Sequence, residues 1–588
     1  MAMFKRLAFL VTLFLAACSA VPASTAPNPA SLPPLTLSPT STSQPPTQTA
    51  PPTATHELTP TTTPVQIAAP LTASWWNSRV FYEVFVRSFA DSTSGPLAND
   101  GIGDLQGLIE HLDYLNDGDT STTTDLGVTG LWLMPIMQSP SYHGYDVTDY
   151  YTVNQDYGTN GDFQRLVSEA HQRGIKVIID LPLNHTSSEH PWFVEARDDP
   201  QSTRRDWYIW SQDNPGYLGP WGEEVWHPSE SGYYYGIFTA EMPDLNYRNP
   251  AVTAEMENVT RYWLKDMGVD GFRLDAARHL IEEGPIQEST QATHDWWKNF
   301  RPVYKAVNPE ALTVGEIWTS DSEVVKYVQG DQLDLAFDFD LAEAIISGVK
   351  ISTAGKLQEA LKSSYSLFGS SRSAIFLTNH DMNRVMSQLH RDPIKAKLAA
   401  AVLLTIPGVP FIYYGEEIGM TGIKPDEMIR TPMQWSGDEN AGFTSGTPWE
   451  AINSDYIDKN VAVQTEDPES LLSRYRDLIR IRAVHPALQV GDYHGVDAAN
   501  KRLLAYLRVS KSEILLVIHN LGEATVSGYD LTLKEGPLSG SYRAIPVYGP
   551  QAEMPDLNAN DQGGFDSYLP LPEIAAGGTI IIQLQTIR

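Results

Sequence analysis

The six residues GFRLDA at positions 271–276 place Arg273 and Asp275 at alternate positions of a short, otherwise apolar run. A run of this kind, opened by a glycine, is typical of a strand buried on both faces whose carboxyl end carries charge. Because side chains two residues apart point to the same face of a strand, we expect Arg273 to lie beside Asp275. The permanent positive charge of Arg273 would keep Asp275 ionised.

Comparable apolar runs recur along the chain, and amphipathic stretches such as 162–173 lie between them. The eight predicted strands cover residues 79–89, 129–136, 175–184, 271–276, 313–318, 334–340, 374–381 and 409–417. Eight strand–helix units predict an α/β fold, the (β/α)8 TIM barrel. A doubly wound open sheet remains the alternative, because periodicity alone does not show that a sheet closes.

Two regions depart from this alternation. Residues from about 186 to 249 are rich in Trp, Tyr, Gly and Pro, and predict a domain inserted after the third strand. A helix over 470–484 completes the barrel pattern, so we expect the barrel domain with its insertion to span 73–488. Short β-rich runs then predict a C-terminal antiparallel β-sandwich domain over 489–588.

The N-terminus has the layout of an export signal, with Lys5 and Arg6 before an apolar run over 7–16 that is too short to span a membrane stably. The motif LAAC at 15–18 resembles the lipobox of bacterial lipoproteins, which predicts a signal peptide over 1–17 and a lipid on Cys18. An ordinary signal peptide with an incidental cysteine is the alternative. Residues 18–72, dominated by Pro, Thr, Ser and Ala, predict a disordered tether. The expected location is the extracellular side of a bacterial cell membrane, either lipid-anchored or released.

Composition limits the partners. A formal net charge of −31 at pH 7 argues against nucleic acid, and against a membrane bound through a basic surface. It suits a neutral partner such as a polysaccharide, although solubility alone would also account for it. We expect membrane contact only through the N-terminal lipid anchor, and a monomer. Cys18 is the only cysteine, so no disulfide can form within the chain.

In a (β/α)8 barrel, polar residues at the carboxyl ends of the strands face the active site. Here the predicted strand ends carry three carboxylates, two histidines and an arginine, namely His185, Arg273, Asp275, Glu316, His380 and Asp381. A retaining glycoside hydrolase needs a carboxylate nucleophile and a protonated carboxylic acid about 5–5.5 Å apart. The ends of neighbouring strands four and five could supply this pair as Asp275 and Glu316. For any single carboxylate, an ion pair or a helix cap is the structural alternative.

These segments resemble the conserved regions of the α-amylase family, glycoside hydrolase family 13, as do YHGY at 142–145 and MPDLN at 242–246. The resemblance implies that Asp275 is the nucleophile, Glu316 the acid/base and Asp381 the transition-state stabiliser. It also implies that the insertion is the family's domain B and that Tyr145 stacks on the sugar before the scissile bond. The other sugar-binding side chains that we expect are His143, His185, Arg273, His380 and Arg430. A second MPDLN at 554–558 lies in the C-terminal domain, away from the family's position for this motif, and receives no role.

Features that separate members of the family are mixed. Residues 423–435, ending in RTPMQW, and residues 184–193 are similar to oligo-1,6-glucosidases and trehalose synthases. Arg278 and His279 are similar to the α-amylase pattern, in which such residues contact glucose units beyond the cleaved bond. Met242 resembles an intermediate group of the family that contains lipoprotein α-amylases.

We therefore interpret the chain as an endo-acting α-amylase that cleaves α-1,4 bonds in starch, glycogen or maltooligosaccharides, with transglycosylation left open. An exo-acting α-glucosidase or an oligo-1,6-glucosidase is the alternative within the family. A non-catalytic glycan-binding surface lipoprotein is the alternative outside catalysis. Such a protein would not need Asp275, Glu316 and Asp381 together.

Calcium is the cofactor that the resemblance implies. The loop after the first strand is similar to the family's calcium loop, and its expected ligands are Asp91, Asp100, the Ile102 carbonyl and Asp104. A second calcium would be bound by Asn184, Asp244 and the carbonyl of His279. The alternative for the second site is that Asn184 and Asp244 only hydrogen-bond the surrounding loop.

Overall fold

The structure is a computed structural model and describes residues 74–587. The predicted signal peptide, Cys18 and the 18–72 tether lie outside the described residues, so these expectations stay predictions. Within residues 74–587, none of the helices combines the length and the apolar character that a membrane crossing requires.

Eight parallel strands form a closed barrel. They are β1 (Phe81–Val84), β2 (Gly130–Leu133), β3 (Lys176–Leu181), β4 (Gly271–Leu274), β5 (Leu312–Gly315), β6 (Leu335–Phe337), β7 (Ser373–Ile375) and β8 (Val409–Tyr413). Neighbours in the barrel are neighbours in the chain, and β1 closes on β8 with Phe81 opposite Phe411. The predicted TIM barrel is confirmed, and the open-sheet alternative is wrong.

Each strand overlaps the apolar run predicted for it but is shorter. After β7, for example, Phe376 and Leu377 remain 2% and 0% exposed although they lie outside the strand. Apolar loop residues at the rim pack on the barrel without pairing, and this is why the runs extend beyond the hydrogen-bonded strands.

The barrel interior is packed with side chains. Phe81 stacks on Phe411 with ring centroids 4.6 Å apart, and Trp132 lies 5.3 Å from Phe337. A Cβ at Gly130 would come within 2.5 Å of the Phe81 ring, so glycine at this position lets the ring fill the interior. The barrel interior is therefore filled with side chains and contains no channel, and a ligand cleft is expected at the carboxyl ends of the strands.

Helices surround the barrel, and the longer ones are Asn160–Gln172, Pro250–Arg261, Gln291–Val307, Phe339–Lys350, Gly355–Phe368, Pro393–Thr405 and Leu471–Val484. Helix Gln291–Val307 shows why they form. Thr290 caps its N-terminus, and Trp296, Trp297, Phe300 and Tyr304 recur at helical spacing on its buried face. The shorter helices are Val86–Phe89, Leu105–Glu110, Leu112–Leu115, Pro191–Asp198, Asp321–Val324, Val385–Gln388, Asp426–Ile429, Val461–Thr465 and Pro486–Val490.

Two excursions reach the carboxyl end of the barrel. After β2, a ribbon of Met137–Gln138 with Asp149–Val153 braces the loop that carries Tyr145. Between β3 and β4 lies the insertion, whose small antiparallel sheet contains Trp210–Ser211, Trp226–Ser229 and Gly232–Tyr235. A bridge between His185 and Asp244 ties the two ends of the insertion together.

The C-terminal region is an antiparallel sheet of eight strands. They are β9 (Asp492–Ala498), β10 (Leu503–Val509), β11 (Ile514–Asn520), β12 (Leu531–Glu535), β13 (Ser541–Tyr548), β14 (Leu557–Asn558), β15 (Gly563–Tyr568) and β16 (Thr579–Thr586). The order is β14-β13-β16-β11-β10-β9-β12-β15. Strand β9 pairs with β10 along most of its length and with β12 at its end. The strands on the β10 side of β9 and those on its β12 side contribute to one apolar core. The predicted antiparallel C-terminal domain is confirmed.

Strand β10 shows how this domain attaches to the barrel. Leu503 and Leu507 face the core of the sheet domain, whereas Tyr506 packs with the barrel core. The Tyr506 hydroxyl lies 2.7 Å from the Thr405 hydroxyl, and Arg508 donates to the Thr405 carbonyl at 2.7 Å. One face of the sheet is thus buried against the barrel.

Candidate active site

The candidate active site is a cleft at the carboxyl ends of the barrel strands. Asp275 directly follows β4 and Glu316 directly follows β5, while Asp381 lies in the segment after β7. These residues border a cavity of about 720 Å³. Nine of the predicted catalytic and sugar-binding residues line it, namely His143, Tyr145, His185, Asp275, Arg278, His279, Glu316, Asp381 and Arg430.

Arg273 lies behind the cavity and connects its carboxylates. Its side chain is 1% exposed, and Nη1 lies 2.7 Å from Oδ1 of Asp275 and 2.8 Å from Oδ1 of Asp180. Nη2 lies 2.7 Å from Oε2 of Glu316. One buried guanidinium therefore holds Asp275 and Glu316 side by side, and the neighbour contact expected from the strand periodicity is present.

Glu316 has the electrostatic setting of a proton donor. Burial, opposed by Arg273 and reinforced by the negative charge of Asp275, raises the pKa of Glu316 to about 7. A carboxylic acid with this pKa is substantially protonated at neutral pH and can also act as a base.

Asp180 was not assigned a role from the sequence. Burial, opposed by Arg273, raises its pKa to about 6, and its Oδ2 accepts a hydrogen bond from the Tyr145 hydroxyl at 2.9 Å. The sequence does contain a signal for Asp180, because an acidic residue within a predicted buried strand requires a partner for its charge.

A second group of charges surrounds Asp381. His380 Nε2 lies 3.1 Å from Oδ2 of Asp381, and His380 Nδ1 lies 2.5 Å from Oε1 of Glu83. Burial alone would lower the pKa of His380, but Asp381 and Glu83 raise it to about 10. Burial alone would raise the pKa of Asp381, but His380 and Arg430 bring it far below its usual range. The site thus contains an imidazolium between two carboxylates. Glu83 was missed, although it is the one charge in the strand FYEV at 81–84.

Tyr145 is held rigidly on this side of the cavity. Its hydroxyl lies 2.7 Å from His380 Nε2, and the two rings stack with centroids 5.6 Å apart and an interplanar angle of 18°. The ring that was predicted to stack on a sugar is therefore fixed in orientation before any ligand binds.

Arg430 continues the same network outwards. Its Nη2 lies 2.9 Å from Oδ1 of Asp381 and 3.0 Å from Oδ2 of Asp426, and Lys424 Nζ lies 3.0 Å from Oδ1 of Asp426. Lys424 and Asp426 also line the cavity but were not predicted. Both residues lie in a loop whose sequence has no periodicity. The only signal for this loop in the sequence is the resemblance of residues 423–435 to oligo-1,6-glucosidases and trehalose synthases.

His185 presents two unsatisfied ring nitrogens. Neither Nδ1 nor Nε2 has a hydrogen-bond partner among the described residues, and the residue is 1% exposed. Burial lowers the pKa of His185, which favours the neutral ring. Unpaired buried polar groups that line a cavity indicate that a ligand completes their hydrogen bonds. His143, on the other wall, accepts a hydrogen bond from the Tyr145 N–H at 3.2 Å.

Arg278 and His279 line the cavity, and each is already bound within the protein. Arg278 forms an ion pair with Glu288 and donates a hydrogen bond to the carbonyl of Trp318. His279 Nδ1 lies 3.0 Å from the Gln287 carbonyl, and burial lowers the pKa of its ring to about 4. The guanidinium of Arg278 therefore stabilises the loop after β5 as well as facing the cavity.

The loop after β1 holds the first set of predicted calcium ligands. Both carboxylate oxygens of Asp91 accept hydrogen bonds from backbone N–H groups of the loop, at 2.9 Å each. Asp104 caps the helix Leu105–Glu110. Asp100 is exposed and accepts a hydrogen bond from the Ile102 N–H at 2.9 Å. These carboxylates have alternatives to a metal, and calcium binding here stays a prediction.

The second set has unsatisfied groups. Asn184 is 1% exposed, and its Oδ1 has no hydrogen-bond donor within residues 74–587, whereas Asp244 Oδ1 accepts a hydrogen bond from the Ile237 N–H at 3.0 Å. Asp244 is 3% exposed, and burial raises its pKa well above the usual range. A buried amide oxygen without a donor and a buried carboxylate fit an oxygen-preferring cation such as calcium.

No cluster of three or more His, Cys, Asp or Glu side chains within the described residues has the arrangement of a metal site. A calcium ion at either predicted position would therefore depend on amide and backbone carbonyl oxygens as well.

A closed barrel with a carboxylate-lined cleft at the carboxyl ends of its strands is the arrangement of a (β/α)8-barrel enzyme. Comparison with known proteins gives the family, because a model described as the alpha amylase catalytic domain matches residues 83–491. The chain belongs to the α-amylase family, glycoside hydrolase family 13.

Relatives of more than one specificity are similar to this chain. Alpha-amylase 3 of Dictyoglomus thermophilum is 41% identical over 453 residues, which are 76% of this chain and 85% of that protein. An oligo-1,6-glucosidase of Heyndrickxia coagulans is 34% identical, with 77% of this chain and 93% of that protein covered. The crystal structure of alpha-amylase from H. orenii superposes with a TM-score of 0.74 at 41% identity, covering 86% of this chain and 99% of that one.

Proposed function

We propose that the enzyme cleaves α-glucosidic bonds with retention, with Asp275 as nucleophile and Glu316 as acid/base. The observation that carries the proposal is the contact of one buried guanidinium, that of Arg273, with both carboxylates at 2.7 Å. Retaining enzymes need their two carboxyl groups close together, whereas inverting enzymes leave room for a water between them. The raised pKa of Glu316, about 7, supports its role as the group that gives and takes the proton.

In the first step, the protonated Glu316 donates its proton to the glycosidic oxygen while the bond from that oxygen to the anomeric carbon breaks. An oxygen of Asp275 attacks the anomeric carbon from the opposite face and forms an ester, and the leaving sugar departs as an alcohol. In the second step, the Glu316 carboxylate takes a proton from water, and the water oxygen attacks the anomeric carbon. The ester bond breaks, and its electron pair returns to Asp275. Two inversions give net retention.

The side chains around the reacting carbon would bind the sugar and its developing charge. Asp381 stays ionised beside His380 and Arg430, and its negative charge would stabilise the oxocarbenium-like transition state. The unpaired ring nitrogens of His185 would bind sugar hydroxyls. The ring of Tyr145 would stack on the apolar face of the same sugar.

For specificity, we propose an endo-acting α-amylase that acts on α-1,4 bonds of starch, glycogen and maltooligosaccharides. Its support is the 41% identity to a protein named alpha-amylase, together with Arg278 and His279 in the cavity wall beyond Asp275. A cavity wall that extends past the scissile bond offers binding energy to long chains, which can be used to orient that bond.

An exo-acting α-glucosidase is the second candidate, and one observation favours it. Lys424, Asp426 and Arg430 form a continuous chain of ion pairs that ends on Asp381. If this chain closes the cavity on the non-reducing side, only the terminal glucose of a substrate would enter. The name oligo-1,6-glucosidase of the Heyndrickxia coagulans relative is consistent with such a site.

The product profile separates the candidates. An endo-acting enzyme is expected to lower the viscosity of soluble starch before much reducing sugar appears, and to act slowly on maltose and isomaltose. A wild type that prefers maltose or isomaltose would overturn the endo-acting proposal. Proton NMR of the first product tests the mechanism separately, because retention predicts the α anomer and an initial β anomer would exclude Asp275 as nucleophile.

We also propose calcium as a structural cofactor, held by Asn184, Asp244 and the His279 carbonyl and by the loop from Asp91 to Asp104. The support is the Asn184 amide oxygen, which has no donor among the described residues, and the buried Asp244 carboxyl, both of which a divalent cation would satisfy. The ion would supply charge neutralisation between barrel and insertion and takes no part in the proton transfers above.

A further inference from the structure

Glu83 is a buried charge at the carboxyl end of the barrel that does not reach the cavity. It lies on β1 two residues after Phe81, so the two side chains point to the same face of the strand, and the Phe81 ring stacks on Phe411 inside the barrel. Glu83 is 2% exposed and lies outside the set of residues that line the catalytic cavity. A carboxylate buried in this way requires a partner for its charge, and any effect on a bound sugar must pass through that partner.

The partner of Glu83 is His380. Nδ1 of the ring lies 2.5 Å from Oε1 of Glu83, and His380 is 0% exposed. On the other side of the ring, Nε2 lies 2.7 Å from the Tyr145 hydroxyl and 3.1 Å from Oδ2 of Asp381. The imidazole therefore connects a carboxylate outside the cavity with two side chains that line it.

The hydrogen bonds around the ring determine where its protons lie. The Tyr145 hydroxyl has one proton, which it donates to Oδ2 of Asp180 at 2.9 Å. The hydroxyl oxygen is then an acceptor, as are the carboxylate oxygens of Asp381 and Glu83, so both ring nitrogens must carry a proton. A neutral ring would leave two acceptors facing each other at one of these contacts. Burial lowers the pKa of His380, but Asp381 and Glu83 outweigh burial and raise the pKa to about 10.

Other charged and titratable groups also surround this pair. Facing the ring are Tyr145, Asp180, Arg273, Glu316, Asp381 and Arg430, while Tyr413 and Glu416 lie near Glu83. Arg430 donates from Nε to the His380 carbonyl at 2.9 Å and not to the ring. Among the described residues, Glu83 is the hydrogen-bond partner of Nδ1, so it is the group that fixes the proton on this nitrogen.

We propose that Glu83 is a positioning residue of the glycosidic reaction, which keeps His380 positively charged and balances that charge. The proposal rests on the proposed function. An imidazolium beside Asp381 alone would neutralise the negative charge that stabilises the oxocarbenium-like transition state. An imidazolium that is paired with Glu83 leaves the charge of Asp381 in place. Glu83 thus lets the Nε2–H of His380 orient Tyr145 and Asp381 without cancelling the charge that the reaction uses.

Glu83→Gln removes the charge and keeps the shape of the side chain. At a pH where the ring stays protonated, its charge is then balanced by Asp381 alone, and at higher pH the ring loses the Nε2–H. Both changes act on the transition state more than on sugar binding. On maltoheptaose we expect kcat to fall about 10–100-fold, the scale for removing the partner that orients a functional histidine, with KM within about twofold of the wild type.

A second substrate separates His380 from Glu316. α-Maltotriosyl fluoride has no leaving sugar, and fluoride departs without a full proton transfer from Glu316. Its release therefore reports the donor side of the cavity, which carries Tyr145 and Asp381, and not the leaving-group side, which carries Trp221 and Trp318. The loss in kcat for Glu83→Gln should be of the same size on this substrate as on maltoheptaose.

The pH dependence of fluoride release tests the charge itself. The pKa of His380 is raised in the folded protein, so its positive charge is present below pH 10 and is lost above it. In Glu83→Gln one of the two carboxylates that raise this pKa is gone, so the alkaline decline in kcat should begin about 1–3 pH units lower than in the wild type. A purely structural role of Glu83 would not move this decline.

Glu417→Gln is the matched control. Glu417 is also a buried glutamate, 0% exposed, and it accepts a hydrogen bond at 2.8 Å from the hydroxyl of Tyr82, the neighbour of Glu83 on β1. It lies outside the cavity lining and does not contact His380. Its kcat should stay within about twofold of the wild type, with an unshifted alkaline decline, whatever the change costs in Tm. Glu83→Asp keeps the charge at a longer distance and should recover part of the lost kcat.

A wild-type kcat for Glu83→Gln, a loss without a shift of the alkaline decline, or the same loss in Glu417→Gln would overturn the role of Glu83. If Glu83→Gln does not fold, Glu83→Asp carries the test, because its longer contact with His380 predicts a lower kcat and a smaller shift in the same direction. Wild-type values for a folded Glu83→Asp would then overturn the proposal. Failure of the proposed function is a distinct result, because the wild type itself would release no fluoride or would not cleave maltoheptaose.

Discussion

The two sides of the catalytic cleft are lined by different kinds of side chains. On the donor side, Glu83, His380 and Tyr145 fix one another through hydrogen bonds of 2.5–2.7 Å, and His380 is 0% exposed. On the leaving-group side, Trp221 and Trp318 are more than half exposed and are held by stacking on one neighbouring ring each. The donor side is a buried charge network carried by the barrel and the loop after β2, whereas Trp221 lies on the insertion and Trp318 on the loop after β5.

We expect this difference to separate chemistry from specificity. Stabilising a charged transition state requires preorganised charges that water does not screen, and the rim of a solid barrel provides them. Selecting chain length requires contacts that can vary without moving those charges, and loops such as the insertion and the segment after β5 could provide them.

The largest expected effect removes the nucleophile. Asp275→Asn keeps the shape of the side chain and a hydrogen bond to Arg273, but an amide cannot form the glycosyl ester. We expect kcat on both maltoheptaose and α-maltotriosyl fluoride to fall by at least about 10⁴-fold. Because the loss lies on the donor side, it should be equal for the two substrates. A thermal melt close to that of the wild type checks that the variant is folded, and a loss under tenfold would contradict the role of Asp275.

The next effect concerns the proton on Glu316. With a pKa of about 7, the acid form is lost as pH rises, so kcat/KM on maltoheptaose should fall about tenfold per pH unit above pH 7. α-Maltotriosyl fluoride is the control, because fluoride leaves without needing a full proton transfer, and its alkaline decline should be weaker. Identical pH profiles for the two substrates would contradict the assignment of Glu316 as the acid.

The raised pKa of Glu316 also predicts how the stability of the fold depends on pH. The folded pKa of about 7 lies above the ordinary value of 4.5, so the folded state binds the proton more tightly than the unfolded state. The contribution of Glu316 to stability is then complete below pH 4.5 and is lost as pH rises through 7. Glu316→Gln carries no such loss, so its Tm relative to the wild type should be higher at pH 8 than at pH 5.

A smaller effect is expected on the leaving-group side. Arg278→Ala removes the hydrogen bond to the Trp318 carbonyl and the ion pair with Glu288. We expect about a tenfold loss in kcat/KM on soluble starch and maltoheptaose, the scale of a charged hydrogen bond partly screened by water, and little change on maltose or α-maltotriosyl fluoride.

Glu288→Gln separates two explanations of that loss. If Arg278 acts by holding the loop of Trp318, weakening its ion pair should reproduce part of the loss. If Arg278 contacts the sugar directly, Glu288→Gln should have little effect. Equal losses of Arg278→Ala on long and short substrates would argue against a leaving-group role altogether.

The sequence predicts residues at the ends of the barrel strands better than it predicts residues in loops or residues whose partners are distant in the chain. The eight strands and Asp275, Glu316 and Asp381 could be placed from apolar runs that end in charge, because the periodicity of a strand fixes both its burial and the direction of its side chains. Glu83 could not, because its partner His380 is almost three hundred residues away and only closure of β1 on β8 brings them together.

Trp221 escaped prediction for a different reason. It belongs to an aromatic-rich insertion in which every tryptophan looks alike in sequence, and only the structure separates the exposed Trp221 from the buried Trp226. Lys424 and Asp426 lie in an aperiodic loop, where local sequence does not determine which surface a side chain faces.

The smallest expected effect is that of metal removal. This experiment tests whether calcium fixes the insertion to the barrel. Chelation with EGTA should lower the Tm by a few degrees, about 3–6 °C, because a cation that binds only the folded state stabilises it by mass action. If the ion lies at Asn184 and Asp244, where the insertion meets the barrel, chelation should also reduce kcat/KM on maltoheptaose more than on α-maltotriosyl fluoride. Asp244→Asn should then lower the Tm and remove the part of the EGTA response that differs between the two substrates.

Asp100→Ala is the matched variant for the other predicted site. Because the loop after β1 is outside the residues that line the cavity, this change should reduce the calcium-dependent part of the Tm and leave the ratio of the two kcat/KM values unaltered. A wild type whose Tm is the same in calcium and in EGTA would remove the structural metal from both sites. The amide oxygen of Asn184 would then have to be satisfied by water, and contacts of the insertion with the barrel would alone position Trp221.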